Sequence, residues 1–240
     1  MKCKHYIITS DRYSFLLEGY VELWKRHWND PSIDIVVLGF DPPRLDFPKN
    51  FKFYSMGVQS ETSSWSDPLV LYFNSIDDEY FFMSFEDHYL VADIDIDLLN
   101  EAESYISSGE IDKVYSFPDV VIDAGLYKGN FNLSADQSGA DLTNSLMPGF
   151  WKKEFFIRLL KETTPKTPHD FEGKNNRTLG CKTIYPRDRV MYSSLDAVRK
   201  GSFDTRVLSG KCVHPTKPWF QIKDKRDIEV YEDMYRKWKM

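Results

Sequence analysis

Cysteine is scarce in this chain and never occurs as a closely spaced pair. The three cysteines are Cys3, Cys181 and Cys212, and no two of them form a C-x-x-C pair. An odd number of widely separated cysteines supplies neither a disulfide framework nor a zinc site. No apolar run approaches the roughly 20 residues that cross a bilayer, and the first residues lack the apolar region of a secretory signal. The sequence therefore predicts a cytoplasmic protein without a transmembrane segment.

Basic residues are not in excess, and several catalytic motifs are missing. The formal net charge is −6, with 31 Lys and Arg scattered among 37 Asp and Glu. A protein that binds duplex nucleic acid usually presents a basic face, so nucleic acid is not an expected partner. The sequence contains no Walker loop, no G-x-S-x-G elbow and no G-x-G-x-x-G. These absences exclude P-loop, α/β-hydrolase and dinucleotide-binding functions.

The residues that are present alternate between strand and helix patterns. A β-branched run at 6–9 precedes a helical pattern from about 13 to 28, and an almost continuous apolar strand follows at 33–38. This order predicts a βαβ unit with a right-handed crossover. Continuous apolar strands are typical of parallel sheets that are covered on both faces. We therefore expect an α/β fold with a Rossmann-like, mostly parallel central sheet flanked by helices.

Later patterns predict further regular elements and one irregular stretch. Strands are expected at Phe51–Ser55 and Tyr80–Phe85, and an amphipathic helix at 151–160. Residues 119–147 are rich in Gly, Asn, Ser and Asp and are expected to be irregular. The chain contains no repeat and no low-complexity linker, so residues 1–240 are expected to form a single domain.

The most hydrophobic strand of the chain ends abruptly in three groups that can bind a cation. Glu86, Asp87 and His88 follow it directly. Ligands of α/β sheets bind beyond the carboxyl ends of the strands. Carboxylate oxygens at that place suit Mg²⁺ or Mn²⁺, and a substrate diphosphate would complete the shell. An ordinary polar strand end in solvent is the alternative interpretation of these three residues.

Three short segments resemble the GT-A glycosyltransferases. Residues 82–88 resemble the strand and D-x-D signature of that family, whose carboxylates hold a metal that bridges the two donor phosphates. Residues 7–12, followed by a helix, are similar to the family's first nucleotide-contacting loop, and residues 37–41 resemble the end of its second strand. The chain as a whole also looks like small glycosyltransferases from viruses and bacteria.

The resemblance implies a metal-dependent enzyme that moves a sugar from a nucleoside-diphosphate sugar, with a UDP-sugar expected, to a hydroxyl of a glycan or another acceptor. Residues 1–118, approximately, would bind the donor and residues 119–240 the acceptor. Because histidine binds Mn²⁺ acceptably whereas Mg²⁺ prefers oxygen, either Asp87 is the principal ligand or the site favours Mn²⁺ over Mg²⁺. A metal-independent enzyme is the remaining alternative. The donor and metal residues that the resemblance implies are Thr9, Ser10, Asp11, Arg12, Asp41, Gln59, Trp65, Glu86, Asp87 and His88.

A second resemblance lies in a proline-rich segment late in the chain. His214 and Lys217, followed by Pro218 and Trp219, look like a shortened His…Lys-Pro-Trp motif of retaining GT-A enzymes. The motif implies His214 as a further metal ligand and Lys217, or Arg177 upstream, as a partner of the donor diphosphate. A proline-rich turn with an exposed histidine is the alternative interpretation.

A third patch supplies carboxylates for proton transfer. The expected helix at 151–160 looks like the acceptor-side helix of the family, and in inverting members a carboxylate after that helix removes the proton from the acceptor hydroxyl. Asp170 and Glu172 are the candidates by position, and Phe171 with Glu172 resembles a recurrent Phe-Glu pair of such enzymes. Alternatively, Asp170 caps a turn and Glu172 is solvated. Asn144 and Trp151 are expected to face the acceptor. Since this patch favours inversion and the proline-rich segment favours retention, both stereochemical outcomes stay open.

Two other functions remain compatible with the sequence. A nucleotidyltransferase on a related sheet also needs carboxylates and a metal, but it usually carries a glycine-rich, basic loop after the first strand. Residues 10–13 of this chain, Ser-Asp-Arg-Tyr, do not form such a loop. The other alternative is a non-catalytic carbohydrate-binding protein that keeps the fold without the chemistry.

Overall fold

The computed structural model describes residues 1–59, 64–118, 123–134, 145–173, 181–199, 201–206, 208 and 222–239. The helices in these ranges are α1 (Leu17–His27), α2 (Ser66–Asn74), α3 (Ile96–Ser107), α4 (Lys153–Thr163), α5 (Pro168–Gly173) and α6 (Lys225–Trp238). A short 3₁₀ turn precedes α1. None of the described helices is both long enough and apolar enough to cross a bilayer.

Thirteen strands are distributed over one large sheet and two small ones within the described ranges. The strands are β1 (His5–Ile8), β2 (Ile35–Gly39), β3 (Phe51–Ser55), β4 (Tyr80–Phe85), β5 (His88–Leu90), β6 (Lys113–Tyr115), β7 (Asp123–Leu126), β8 (Phe131–Ser134), β9 (Gly149–Lys152), β10 (Thr183–Pro186), β11 (Ser194–Asp196), β12 (Val198–Arg199) and β13 (Ser202–Phe203). The large sheet has the order β3-β2-β1-β4-β9-β6-β10-β8-β7, while β5 pairs with β11 and β12 with β13.

The large sheet is mostly parallel. Strands β1 to β4 run in one direction, and β6 pairs in parallel with β10. The exceptions are β9, which lies antiparallel between β4 and β6, and β8, which lies antiparallel to β10 and β7. Consequently β1, β2 and β4 end at the same edge of the sheet. The prediction of an α/β fold with a mostly parallel sheet is confirmed.

Helices cover both faces of the sheet, which explains why β2 is buried along its whole length. On one face Trp24 of α1 packs edge-on against Phe51, with ring centroids 5.0 Å apart. On the other face Phe73 of α2 stacks on Phe81 at 4.5 Å, and Phe156 of α4 packs against both. Each large side chain buried in this way contributes about 1.5–3 kcal/mol relative to an exposed position. The two apolar layers therefore fix the sheet and its carboxyl edge.

Two sequence predictions differ from the structure. The expected helix at 151–160 begins only at Lys153, because the residues before it form β9, with Trp151 fully buried opposite Phe81 and Lys113. A Cβ on Gly149 would collide with the carbonyl oxygen of Val114, so glycine is required where β9 enters between its neighbours. The stretch 119–147, expected to be irregular, contains the hairpin of β7 and β8. The prediction of a single domain stays a prediction.

Candidate functional site

The first, second and fourth strands end side by side at one edge of the large sheet. The amide of Thr9, just beyond β1, donates to the carbonyl oxygen of Leu38 at 2.9 Å. The amide of Glu86, just beyond β4, donates to the carbonyl oxygen of Ile8 at 3.4 Å. The loops after β1 and β4, which the sequence assigned to the nucleotide and the metal, are therefore neighbours.

Glu86, in the loop after β4, connects this loop to the loop after β1. Its side chain is buried, and the Thr9 hydroxyl and the Ser10 amide act to lower its pKa. Burial and the charge of Asp87 raise the pKa of Glu86 well above the ordinary value. Glu86 thus holds the nucleotide loop in place.

His88 begins β5 after a tight turn at residues 86–87, and its ring is oriented by the backbone. Its Nδ1 accepts the amide of Phe85 at 3.1 Å. Burial lowers the pKa of His88 to about 3, so the ring is neutral at physiological pH and its proton lies on Nε2. This Nε2 faces Oδ1 of Asp196 at 3.8 Å. The Nδ1 lone pair is therefore already used, and His88 as a metal ligand remains a prediction.

Asp196, at the end of β11, lies beside the acidic turn and was not foreseen from the sequence. The pairing of β5 with β11 places Asp196 opposite His88, and the amide of Ala197 donates to the carbonyl oxygen of Asp87 at 2.8 Å. Asp196 Oδ1 is buried without a hydrogen-bond partner in the described residues, although the side chain as a whole is 41% exposed. One oxygen thus faces inward while the carboxylate reaches solvent.

Asp87 and Asp196 are electrostatically linked carboxylates. Burial and the charge of Asp196 raise the pKa of Asp87, while the amide of Val198 partly offsets this shift. Burial and the charge of Glu172 raise the pKa of Asp196. No lysine or arginine in the described ranges forms an ion pair with Asp87 or Asp196. The charge of Arg199 lowers the pKa of Asp196 without an ion pair, so the negative charge at this edge is partly compensated by the described cations.

The predicted nucleotide loop is assembled by polar contacts. The amide of Asp11 donates to Oε1 of Gln59 at 3.0 Å, and the amide of Asp41 donates to Oδ1 of Asp11 at 2.9 Å. The Arg12 guanidinium lies 5.1 Å from the centre of the Tyr13 ring. The structure thus brings together the loops after β1, β2 and β3.

An aromatic wall connects this edge to α5. Trp65 stacks on Phe85, the last residue of β4, at 6.2 Å and packs edge-on against Phe171 at 5.9 Å. Glu172 follows Phe171 on α5 and accepts the amide of Leu146 through Oε1 at 2.6 Å. The charge of Glu172 raises the pKa of Asp87 and of Asp196, although it is not the largest cause at either carboxyl. Glu172 therefore belongs to the same charged site.

Asp170 and Trp151 are placed differently from Glu172. The amide of Asp170 donates to the hydroxyl oxygen of Thr167 at 3.1 Å. Trp151 is completely buried in β9, so the expectation that it faces the acceptor is wrong. Four predicted residues lie outside the described ranges, and these are Asn144, Arg177, His214 and Lys217.

The described residues contain no preformed metal cage, since no three His, Cys, Asp or Glu side chains among them converge closely enough to hold an ion. A site that supplies one or two carboxylates and leaves the remaining positions to substrate phosphates and water is a common arrangement for Mg²⁺. The unpartnered oxygen of Asp196 beside Asp87 fits that arrangement. The donor set therefore fits a divalent cation held jointly with a diphosphate.

Comparison with known proteins shows which fold this is. No family model and no curated protein matches the sequence. Among solved structures, UDP-glucose pyrophosphorylase complexed with UDP-glucose matches over 99% of this chain and 100% of that chain, with a TM-score of 0.53 and 10% identity. UDP-glucose pyrophosphorylase from Acinetobacter baumanii matches over 98% of this chain and 99% of that chain, with a TM-score of 0.52 and 12% identity. The chain therefore shares the mixed α/β, Rossmann-like fold of these proteins from end to end.

Proposed function

We propose that this chain is a glycosyltransferase that moves a sugar from a nucleoside-diphosphate sugar to a hydroxyl acceptor with the help of a divalent cation. The observation that carries the proposal is the pair of carboxylates Asp87 and Asp196, which form no ion pair with a lysine or arginine of the described residues, beside the loops that follow the first parallel strands. Carboxyl groups whose pKa is raised by burial and by a neighbouring negative charge are typical of functional sites. Ligands of α/β sheets bind at this edge.

Asp87 and Asp196 would hold the cation, and the donor diphosphate would complete its shell. Mn²⁺ or Mg²⁺ at this place would neutralise the charge that develops on the departing nucleoside diphosphate. Glu86 is not proposed as a metal ligand, because its buried side chain interacts with Thr9 and Ser10. His214, Lys217 and Arg177 remain proposed partners of the metal and the diphosphate.

The donor nucleotide would lie over the loop at residues 9–12. Asp11, Asp41 and Gln59 are linked there and present polar groups for a base and a ribose. The wall formed by Trp65 and Phe85 lies between this loop and α5. The sugar ring of the donor would lie against this wall. Aromatic faces next to polar groups are common in carbohydrate sites because they bury the apolar side of the ring.

Glu172 would act as the general base of an inverting transfer. Its carboxylate accepts the proton of the acceptor hydroxyl as the acceptor oxygen bonds to the anomeric carbon. The bond from that carbon to the diphosphate oxygen breaks, and its electron pair leaves with the nucleoside diphosphate. The Leu146 amide, bound to Oε1, fixes the orientation of Glu172. Asp170 stays the alternative base.

A second candidate function is a nucleotidyltransferase that forms or cleaves a nucleotide sugar. It is favoured by the likeness to UDP-glucose pyrophosphorylases, which spans nearly the whole of both chains. Against it stands the loop after β1, in which Arg12 is the one basic residue and Asp11 lies beside it. A triphosphate would meet no net positive charge in this loop.

The two functions are separated by their nucleotide products. The protein is incubated with UDP-glucose, Mn²⁺ and a panel of oligosaccharide acceptors, with or without pyrophosphate, and the nucleotides are resolved by anion exchange. Acceptor-dependent release of UDP supports the transferase, whereas pyrophosphate-dependent formation of UTP and glucose 1-phosphate identifies the nucleotidyltransferase. Asp87→Ala is expected to abolish turnover without unfolding the protein. Full activity in this variant would overturn the metal assignment, and no product with any UDP- or GDP-sugar would favour a non-catalytic binding protein.

A further inference from the structure

Lys113, in the middle of the large sheet, is a fully buried lysine that neither the sequence motifs nor the proposed reaction involves. It lies on β6 opposite Trp151 of β9, and its solvent exposure is 0%. The ammonium group lies 4.0 Å from the centre of the Tyr115 ring and 3.9 Å from that of Trp151. A lysine is rarely buried so completely without a specific partner.

The partner of Lys113 is a single peptide group, which Glu172 binds from the other side. Lys113 Nζ donates to the carbonyl oxygen of Ser145. The amide of Leu146, which belongs to the same peptide bond, donates to Oε1 of Glu172 at 2.6 Å. One peptide plane is thus held at its oxygen by the side-chain nitrogen of Lys113 and at its N–H by a carboxylate. Because hydrogen bonds through one amide polarise each other, the two contacts strengthen each other.

Lys113 is also electrostatically coupled to Glu172. Burial lowers the pKa of Lys113 well below the ordinary value, and the charge of Glu172 is the largest influence that opposes this shift. The two groups approach the segment at 145–148 from different elements, β6 and α5. Ser116 supports the same segment by donating its hydroxyl to the carbonyl oxygen of Pro148.

We propose that Lys113 is a positioning residue that acts on Glu172 through the Ser145–Leu146 peptide group. The inference deepens the proposed function, on which it rests, by naming what sets the orientation of the proposed base. Lys113 is too deeply buried to touch a substrate. Its contribution is to hold the peptide that anchors Oε1 of Glu172 and so to fix the orientation of this carboxylate. Small displacements of a catalytic group can cost about a hundredfold in rate.

The test is a double-mutant cycle of Lys113→Met and Glu172→Gln. Lys113→Met is expected to lower kcat by about ten- to a hundredfold while the KM for the donor changes less than about threefold. In the Glu172→Gln background, the same change is expected to have no further effect on kcat, because the group that it positions is already disabled. Additive losses would assign Lys113 a purely structural role and overturn the proposal.

Lys153→Met is the matched control. Lys153 also donates its ammonium group to a backbone carbonyl, that of Ile76, but it lies on α4 away from Glu172. This variant is expected to lower the melting temperature and leave kcat unchanged. Lys113→Gln, which keeps an N–H donor without the charge, replaces Lys113→Met in the cycle if the latter does not fold.

Hydrogen exchange at the Leu146 amide tests the same linkage without turnover. This amide is expected to lose protection in Glu172→Gln, because the acceptor of its hydrogen bond becomes weaker. It is also expected to lose protection in Lys113→Met, because the contact at the Ser145 carbonyl oxygen of the same peptide group is removed. Unchanged protection in Lys113→Met would overturn the proposal even in an active enzyme. If the wild-type protein turned over no donor, the proposed function would fail, while the exchange result would still decide whether Lys113 and Glu172 are linked.

Discussion

Buried carboxylates elsewhere in the described residues have clear partners, whereas the two half-buried carboxylates of the candidate site do not. Asp227 is completely buried but bound by Arg26 and His27, and Glu103 accepts the amides at the start of the chain. Asp87 and Asp196, in contrast, have no lysine or arginine ion-pair partner in the described ranges, and the charge of Asp196 raises the pKa of Asp87. The cation proposed above would compensate this negative charge.

Asp196→Asn should separate metal binding from stability. The amide keeps the shape of the side chain but removes the negative charge that faces Asp87. We expect the affinity for Mn²⁺ in the presence of UDP to fall at least about tenfold, since one of two anionic ligands is lost. The melting temperature without metal should stay equal or rise by about 1–4 °C, because a like-charge repulsion of up to about 1 kcal/mol is relieved. Calorimetric titration and thermal unfolding in EDTA measure the two quantities.

Asp78→Asn is the matched control for that experiment. Asp78 precedes the opposite end of β4, where it pairs with Lys4 at 2.9 Å and accepts the hydroxyl of Tyr6 at 2.6 Å. Its replacement should lower the melting temperature and leave the Mn²⁺ affinity unchanged. Undiminished Mn²⁺ affinity in Asp196→Asn would remove Asp196 from the metal site.

At the scale of elements, the terminal helix α6 contacts the end of β11, the strand that carries Asp196. The hydroxyl of Tyr231 donates to the carbonyl oxygens of Asp196 and Ala197 at 3.4 and 3.3 Å. The helix is anchored through Asp227, which is bound by Arg26 at 3.1 Å and by His27 Nε2 at 2.8 Å, both on α1. The docking of α6 and the position of β11 are therefore linked.

The anchor of α6 should make stability depend on pH through His27. Its Nδ1 also contacts Asp93 at 3.0 Å, so both ring nitrogens face carboxylates, and the bond to Asp227 raises the pKa of His27. A raised histidine pKa means that the stabilisation is complete below the unfolded value of about 6.5 and is lost as pH rises through the folded value. His27→Gln should cost about 1–2 kcal/mol at pH 6, or roughly 2–8 °C, and much less at pH 9.

Thermal unfolding of the wild type and His27→Gln between pH 6 and pH 9 checks this dependence. Two curves that stay parallel across the range would show that His27 does not titrate with folding. His169→Gln is the control. Because His169 is exposed on α5, this variant should show the same dependence of melting temperature on pH as the wild type.

The same elements show how far the sequence predicts the fold. The bounds of β3 and β4 were predicted correctly, because each is a run of aromatic and apolar residues with polar ends. The strand β9 was missed because Trp151 and Phe155 have helical spacing, and only the pairing with β4 and β6 shows that residues 149–152 are extended. The hairpin of β7 and β8 was missed because both strands have only four residues and β7 is exposed along its whole length, so neither shows a clear apolar alternation.

The site was predictable where it depends on strand ends and not where it depends on long-range pairing. Glu86 and Asp87 follow a strongly hydrophobic strand, and that signal is local. Asp196 lies in a strand of three residues without any periodic pattern, and only the pairing of β11 with β5 brings it to Asp87. Lys113 looks like a surface residue at the start of a short strand, and its burial follows from the insertion of β9 beside it.

At the scale of the whole molecule, the site is assembled from both halves of the chain. Thr9 and Asp87 come from the first half, whereas Glu172 and Asp196 come from the second. The fold that the chain shares with UDP-glucose pyrophosphorylases places all four near one edge of the sheet. A donor that contacts these groups would connect β1, β4, β11 and α5, so its binding should stabilise the molecule as one unit.

Thermal unfolding with a panel of nucleotide sugars, with and without Mn²⁺, tests this expectation. A ligand at a hundred times its Kd adds about 2.7 kcal/mol to the free energy of unfolding, or roughly 5–10 °C for a chain of this size. We expect a UDP-sugar to give such a shift only when Mn²⁺ is present, because the cation joins the diphosphate to Asp87 and Asp196. Asp87→Ala should lose the shift and Asp78→Asn should keep it. A shift that is equally large in EDTA would mean that the donor binds without the cation, and the two carboxylates would then need another explanation.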